Sequence, residues 1–115
     1  MDWLDSKPRN QVNSKNKSRV DFVSSLQFKG MTLNNRETLM YLALSYKGGG
    51  TILRYQDIAS YVGITKASAK ANIKKLSELG IVKVGQQYEV GYDDKLPRRF
   101  NINLKWRGYN EKSGL

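Results

Sequence analysis

The sequence predicts an α+β domain of three helices followed by a β-hairpin, and three observations lead there. Residues Tyr55 to Leu79 read as two helices broken by a single glycine, Gly63, with a sharp stop at Gly80. Ahead of them, Leu39, Leu42, Ala43 and Tyr46 fall at i, i+3, i+4 and i+7, the spacing of one helix face. Beyond Gly80 the period drops to two: Phe100, Ile102, Leu104 and Trp106 alternate with Asn101, Asn103 and Lys105.

The second helix of the pair has two unlike sides. Thr65 stands where an N-cap hydroxyl accepts from an orphan amide, and Gly80 where a left-handed residue closes a helix, so the helix spans about Lys66 to Leu79. Ala69, Ile73 and Leu76 form its apolar stripe, with Leu79 closing the last turn. Opposite them lie Lys66, Ala67, Ser68, Lys70, Ala71, Lys74 and Lys75, with no acid until Glu78. Lys66, Lys70 and Lys74 recur every four residues and repel one another, which a negative partner relieves. The preceding helix, about Tyr55 to Val62, turns Ile58, Ala59 and Val62 inward, and the small Ala59 allows a close, steep crossing. This is a helix-turn-helix.

The remaining segments follow in chain order. Met1 to Arg19 is polar, with Lys7, Arg9, Lys15, Lys17 and Arg19 against Asp2 and Asp5, and reads as a flexible basic arm. Trp3 has no core to join there. Val20, Phe22, Leu26 and Phe28 sit on even positions and predict a strand, although Val23 breaks the alternation and suits a short helix. Asn34 and Glu37 have capping-box spacing, which predicts a helix from about Asn35 to Lys47. Gly48, Gly49 and Gly50 end it as a flexible loop, because no helix N-terminus with Lys and Ser or Thr follows in phosphate-binding register. Thr51 to Leu53 is a short strand. Ile81 to Val84 opens the hairpin, Tyr88, Val90 and Tyr92 continue it, and Gly91 to Arg99 form a turn-rich tip with Lys95, Arg98 and Arg99. Asp93 and Asp94 lack a third ligand and read as turn residues. The expected organisation is an arm over 1–19, a domain over 20–106 and a tail over 107–115.

Composition narrows the chemistry. The 115 residues suffice for one modest core. A formal charge of +10, from 20 basic and 10 acidic residues, points to a polyanion: nucleic acid first, a membrane surface as the rival. No segment has the length of a spanning helix or the apolar core of a signal peptide, so the expectation is a cytoplasmic protein without a membrane partner. The absence of cysteine and histidine removes disulfides, thiolate chemistry, the usual zinc sites and imidazole-based catalysis. The chain is therefore not expected to be an enzyme, to hold a metal or to carry a cofactor.

The run LNNRETLMYLALSYKGGGTILRYQDIASYVGITKASAKANIKKLSELGIVKV, Leu33 to Val84, resembles the winged helix-turn-helix proteins, especially those of phage and plasmid replication and maintenance. The resemblance implies three helices with a β-hairpin wing, sequence-specific binding of double-stranded DNA, and association with a nucleoid or plasmid. The helix from Lys66 would enter the major groove, with Ala67, Ser68 and Ala71 close to base edges and Asn72 reading adenine if it turns outward. Lys66, Lys70, Lys74 and Lys75 would meet phosphates, as would Lys95 and one of Arg98 and Arg99 from the wing. The task would be that of an accessory factor marking a replication or transfer origin for a separate enzyme. A transcriptional repressor and a non-enzymatic module of a replication or transfer complex are the alternatives. Trp3, Trp106 and Tyr109 lie at the chain ends, where winged-helix proteins often build a homodimer contact.

Overall fold

The described residues form four helices and a three-stranded antiparallel sheet, in the order α1 (Lys17–Ser25), α2 (Leu33–Leu44), β1 (Thr51–Leu53), α3 (Tyr55–Val62), α4 (Lys66–Leu79), β2 (Val82–Val84) and β3 (Arg98–Ile102). This computed structural model describes residues 12–85 and 95–107. The segment expected to be a strand over 20–28 is helical as far as Ser25 instead, so the described residues hold four helices and not three. Val23, the residue out of step with a period of two, is three positions from Val20, and these two form the helix's buried side. The fully buried Asn16 anchors its start, donating from Nδ2 to Leu44 O at the end of α2 (3.1 Å) and accepting from the Asn13 amide (2.8 Å). At the other end, the Arg36 guanidinium donates to Val23 O (3.1 Å), which also accepts from the Leu26 amide, and to Leu26 O (2.8 Å) beyond the helix end. α1 thus begins within residues expected to belong to the arm; residues 1–11 lie outside the described part.

α2 starts earlier than its expected cap. Thr32 Oγ1 accepts from the Asn35 amide (3.0 Å) while Asn35 Oδ1 accepts from the Thr32 amide (3.0 Å). This reciprocal pair displaces the predicted Asn34 and Glu37 box by two residues. The helix also ends at Leu44, short of Lys47, yet Leu39, Leu42 and Ala43 are fully buried as their spacing requires. β1, α3 and α4 occupy the residues predicted for them.

The sheet has the order β1-β3-β2, with Phe100 opposite both Thr51 and Val84, and Ile102 opposite Val82. These residues are all buried and close the core over α2 and α4. β3 stops at Ile102, so the alternation through Leu104 and Trp106 does not continue as strand. Trp106 turns back on its own domain: its indole Nε1 donates to Leu79 O (2.7 Å) and its ring meets Phe28 edge-on at 5.9 Å. It serves the α4 C-terminus here, while Trp3 and Tyr109, the other residues expected at a dimer contact, fall outside the described residues. So do Tyr88, Val90, Tyr92 and the hairpin tip as far as Asp94.

The Asn16 bonds give a stability prediction. Asn16→Ala removes the donor that the buried Leu44 carbonyl receives and the bond to the Asn13 amide, and should cost about 1–3 kcal/mol. Urea denaturation should show a lower midpoint at an unchanged slope.

Candidate nucleic-acid interface

Gly63 and Gly80 bracket the candidate surface. Both adopt the left-handed conformation, at φ 85° and 89°, which closes α3 and α4 without the steric penalty of a Cβ. Thr65 caps α4, its Oγ1 accepting from the Ser68 amide (3.0 Å) and donating to Ser68 Oγ (3.0 Å). Beneath the helix Ala69, Ile73 and Leu76 are at most 1% exposed. Ala59 of α3 is equally covered, as a close crossing demands. Above it Ala67, Ser68, Lys70, Ala71 and Lys74 are exposed and Lys66 is half-buried. The lysine-bearing side predicted from spacing therefore faces solvent.

Two expected members of that side point elsewhere. Lys75 Nζ donates to Gly30 O (3.0 Å) and to Asn35 Oδ1 (3.3 Å). The Asn72 Oδ1 accepts from Asn35 Nδ2 (2.8 Å). Three positions apart, Asn72 and Lys75 share the flank of α4 that faces the α2 N-terminus, where the nearly buried Asn35 joins cap, loop and helix. Asn72 is thus not turned outward, and Lys75 is a tether between elements.

The two arginines divide as adjacent strand residues must. Arg98 is only 5% exposed, its guanidinium 5.2 Å from the Tyr55 ring centroid, so it belongs to the interior side of the sheet and not to a free surface. Lys70 Nζ approaches the same ring at 5.8 Å, and Phe100 meets it edge-on at 5.9 Å. Tyr55 therefore links the sheet to the exposed side of α4. Its buried position at the start of α3 carries no sequence signal of this role, since the link depends on β3 arriving beside it. Arg99 is exposed on the opposite face and donates from Nη1 to Gly49 O. Lys95 is exposed.

The ion pairs among the described residues are Lys17 with Asp21 (2.8 Å) in α1 and Arg54 with Asp57 (2.8 Å) at the start of α3, and neither involves a lysine of α4. In the second pair, hydrogen bonding from Arg54 holds the Asp57 carboxyl below the usual carboxylate range, against the opposing effect of partial burial. Among the described residues no three acidic side chains gather into a metal-binding group, and no helix is long and apolar enough to cross a membrane. No protein-family model, curated protein or solved structure matches the chain.

Two measurements follow. A double-mutant cycle of Asn35→Ala and Lys75→Met should return a coupling of about 0.5–3 kcal/mol, because the groups share a hydrogen bond; strict additivity would show Lys75 to be solvated. For Asp57, a depressed folded-state pKa stabilises the fold above the ordinary carboxylate value, and that contribution is lost as pH falls through the depressed one. The stability advantage of wild type over Asp57→Asn, followed by thermal melts, should hold at neutral pH and shrink below about pH 4.

Proposed function

We propose that this chain is a winged helix-turn-helix protein that binds double-stranded DNA through the exposed side of α4. One observation carries the reading: Lys66, Lys70 and Lys74 stand with Ala67, Ser68 and Ala71 on a surface held outward by the complete burial of Ala69, Ile73 and Leu76. Short side chains at the centre let a helix sit deep in a major groove, and lysines at the margins reach the phosphates on either side. The Ser68 hydroxyl and the methyl groups of Ala67 and Ala71 are the groups presented to base edges, whereas Asn72, engaged with Asn35, is not. Lys95 begins the return from the hairpin tip, the part of the fold that would act as the wing.

The task we assign is that of an accessory factor marking a replication or transfer origin, in keeping with the likeness of Leu33 to Val84 to phage and plasmid proteins. Footprinting on the DNA around its coding region tests this assignment: protection at an origin supports it, and protection confined to a promoter makes the protein a repressor.

Binding itself is tested by salt. With four or more phosphate contacts, log affinity for duplex DNA should fall against log salt with a slope of about −4 or steeper. Lys66→Gln, Lys70→Gln and Lys74→Gln together should make that slope shallower by about three. A wild-type slope near −1, or a triple variant indistinguishable from wild type, would exclude α4 as the binding surface.

A further inference from the structure

A second set of cations converges on the glycine loop between α2 and β1. Tyr46 Oη donates to Gly48 O (2.9 Å), which folds the loop against the tyrosine ring. On that ring lies the Arg19 guanidinium, 3.5 Å from its centroid. The Lys15 side chain reaches Gly48, with its Cδ 3.9 Å from where a Cβ would stand. Arg99 crosses from β3 to donate to Gly49 O, passing over Gly50 so closely that a Cβ there would lie 2.5 Å from Nη1. Lys47, exposed, lies in the loop, and its amide donates to Gly50 O (3.2 Å). Lys15, Arg19 and Arg99, distant in sequence, thus join Lys47 at the loop between α2 and β1.

The arrangement is built. Two guanidinium groups are held, one by stacking on an aromatic face and one by a carbonyl, so less side-chain freedom remains to be lost when a partner binds. Like charges gathered in this way oppose folding unless something negative meets them. The nearest acid in the sequence among the described residues, Asp21, is bonded to Lys17. Nor is the patch an extension of the α4 surface: Arg98 turns to Tyr55 and Lys70 on one face of β3, and Arg99 turns to the glycine loop on the other.

We infer that the loop at Gly48 to Gly50, with Lys15, Arg19, Lys47 and Arg99, is a second contact surface for a phosphodiester backbone. It takes the nature of its ligand from the proposed function, while its position is independent of α4. Its chemistry is that of phosphate binding, since the groups presented are guanidinium and ammonium ions that pair with phosphate oxygens. The phosphates come either from the flank of the duplex engaged by α4 or from a second nucleic acid strand.

The test uses the full chain and mixed-sequence duplexes of about one and about four helical turns. The variant is Lys15→Gln, Lys47→Gln and Arg99→Gln. Three lost contacts flatten the salt slope by about three, so between 50 and 200 mM salt the wild type should lose roughly 40-fold more affinity than the variant. If the loop differs by destabilisation instead, Lys15→Gln with Lys47→Gln, both at exposed positions, should still give about a 12-fold difference over the same range. A difference seen only on the long duplex assigns the contact to the flank. Energy transfer between two labelled short duplexes, present with wild type and lost with the variant, assigns it to a second molecule. Equal slopes for wild type and both variants on every duplex overturn the inference, even where the α4 triple variant weakens binding. Conversely, loss with the loop variants but not with the α4 variant sustains this surface and removes α4 from the reading.

Discussion

The stripe of Ala69, Ile73 and Leu76 on α4 sets what every other surface residue of the helix can do. Buried together against the core, these three leave the helix no rotation that does not carry a lysine toward the interior. Turning it by one residue would bring Lys70 toward the interior, and an unpaired ammonium there costs several kcal/mol more than an exposed leucine does. The Asn35 network reinforces the setting from one side, fixing Asn72 and Lys75, and Tyr55 does so from the other, beneath Lys70 and Arg98. Direction, in this domain, is a consequence of packing.

That is why α3 and α4 were legible in the sequence to the residue. Thr65, Gly63 and Gly80 act within one turn of themselves, through a cap or a left-handed φ, and the apolar stripe needs only the helical period. β1 was equally plain, bounded by the glycine run and the start of α3. α1 was not. Alternation of Val20, Phe22, Leu26 and Phe28 imitates a strand, and only the docking of Val20 and Val23 on α2, with Asn16 bonded to Leu44, chooses the helix. The start of α2 shows a closer contest, between two capping boxes two residues apart. Thr32 wins with Asn35, whose side chain also ties down α4, a third partner that a local motif cannot reveal.

The candidate site was legible in its chemistry and less so in its membership. Lys66, Lys70 and Lys74 were separable from the core by period alone. Lys75 was not separable from them, because a lysine's four methylenes let it reach back to Gly30 and Asn35 from a position the helical wheel places outside. Arg98 and Arg99 show the complementary limit. The period of two states that they diverge, but which one goes inward depends on Tyr55 lying on one side and a side-chain-free turn on the other.

The glycine triplet illustrates how a feature without its own chemistry acquires some from its neighbours. Alone it is a helix stop, lacking the lysine and hydroxyl that would make it a phosphate cradle. Folded, its bare backbone offers carbonyls and clearance, and that clearance admits Arg99 while Tyr46 brings Arg19 alongside. The acids of the described residues are meanwhile committed or remote: Asp21 to Lys17, Asp57 to Arg54, Glu37 to the interior, and Glu78 to the last turn of α4. A chain with this much positive charge can spread its cations so that each meets solvent or an acid, and surface repulsion then costs little. Among the described residues the cations gather on two sides of β3, and their mutual repulsion opposes the compact state of the isolated domain. The proposed polyanionic partner would relieve that repulsion on both sides.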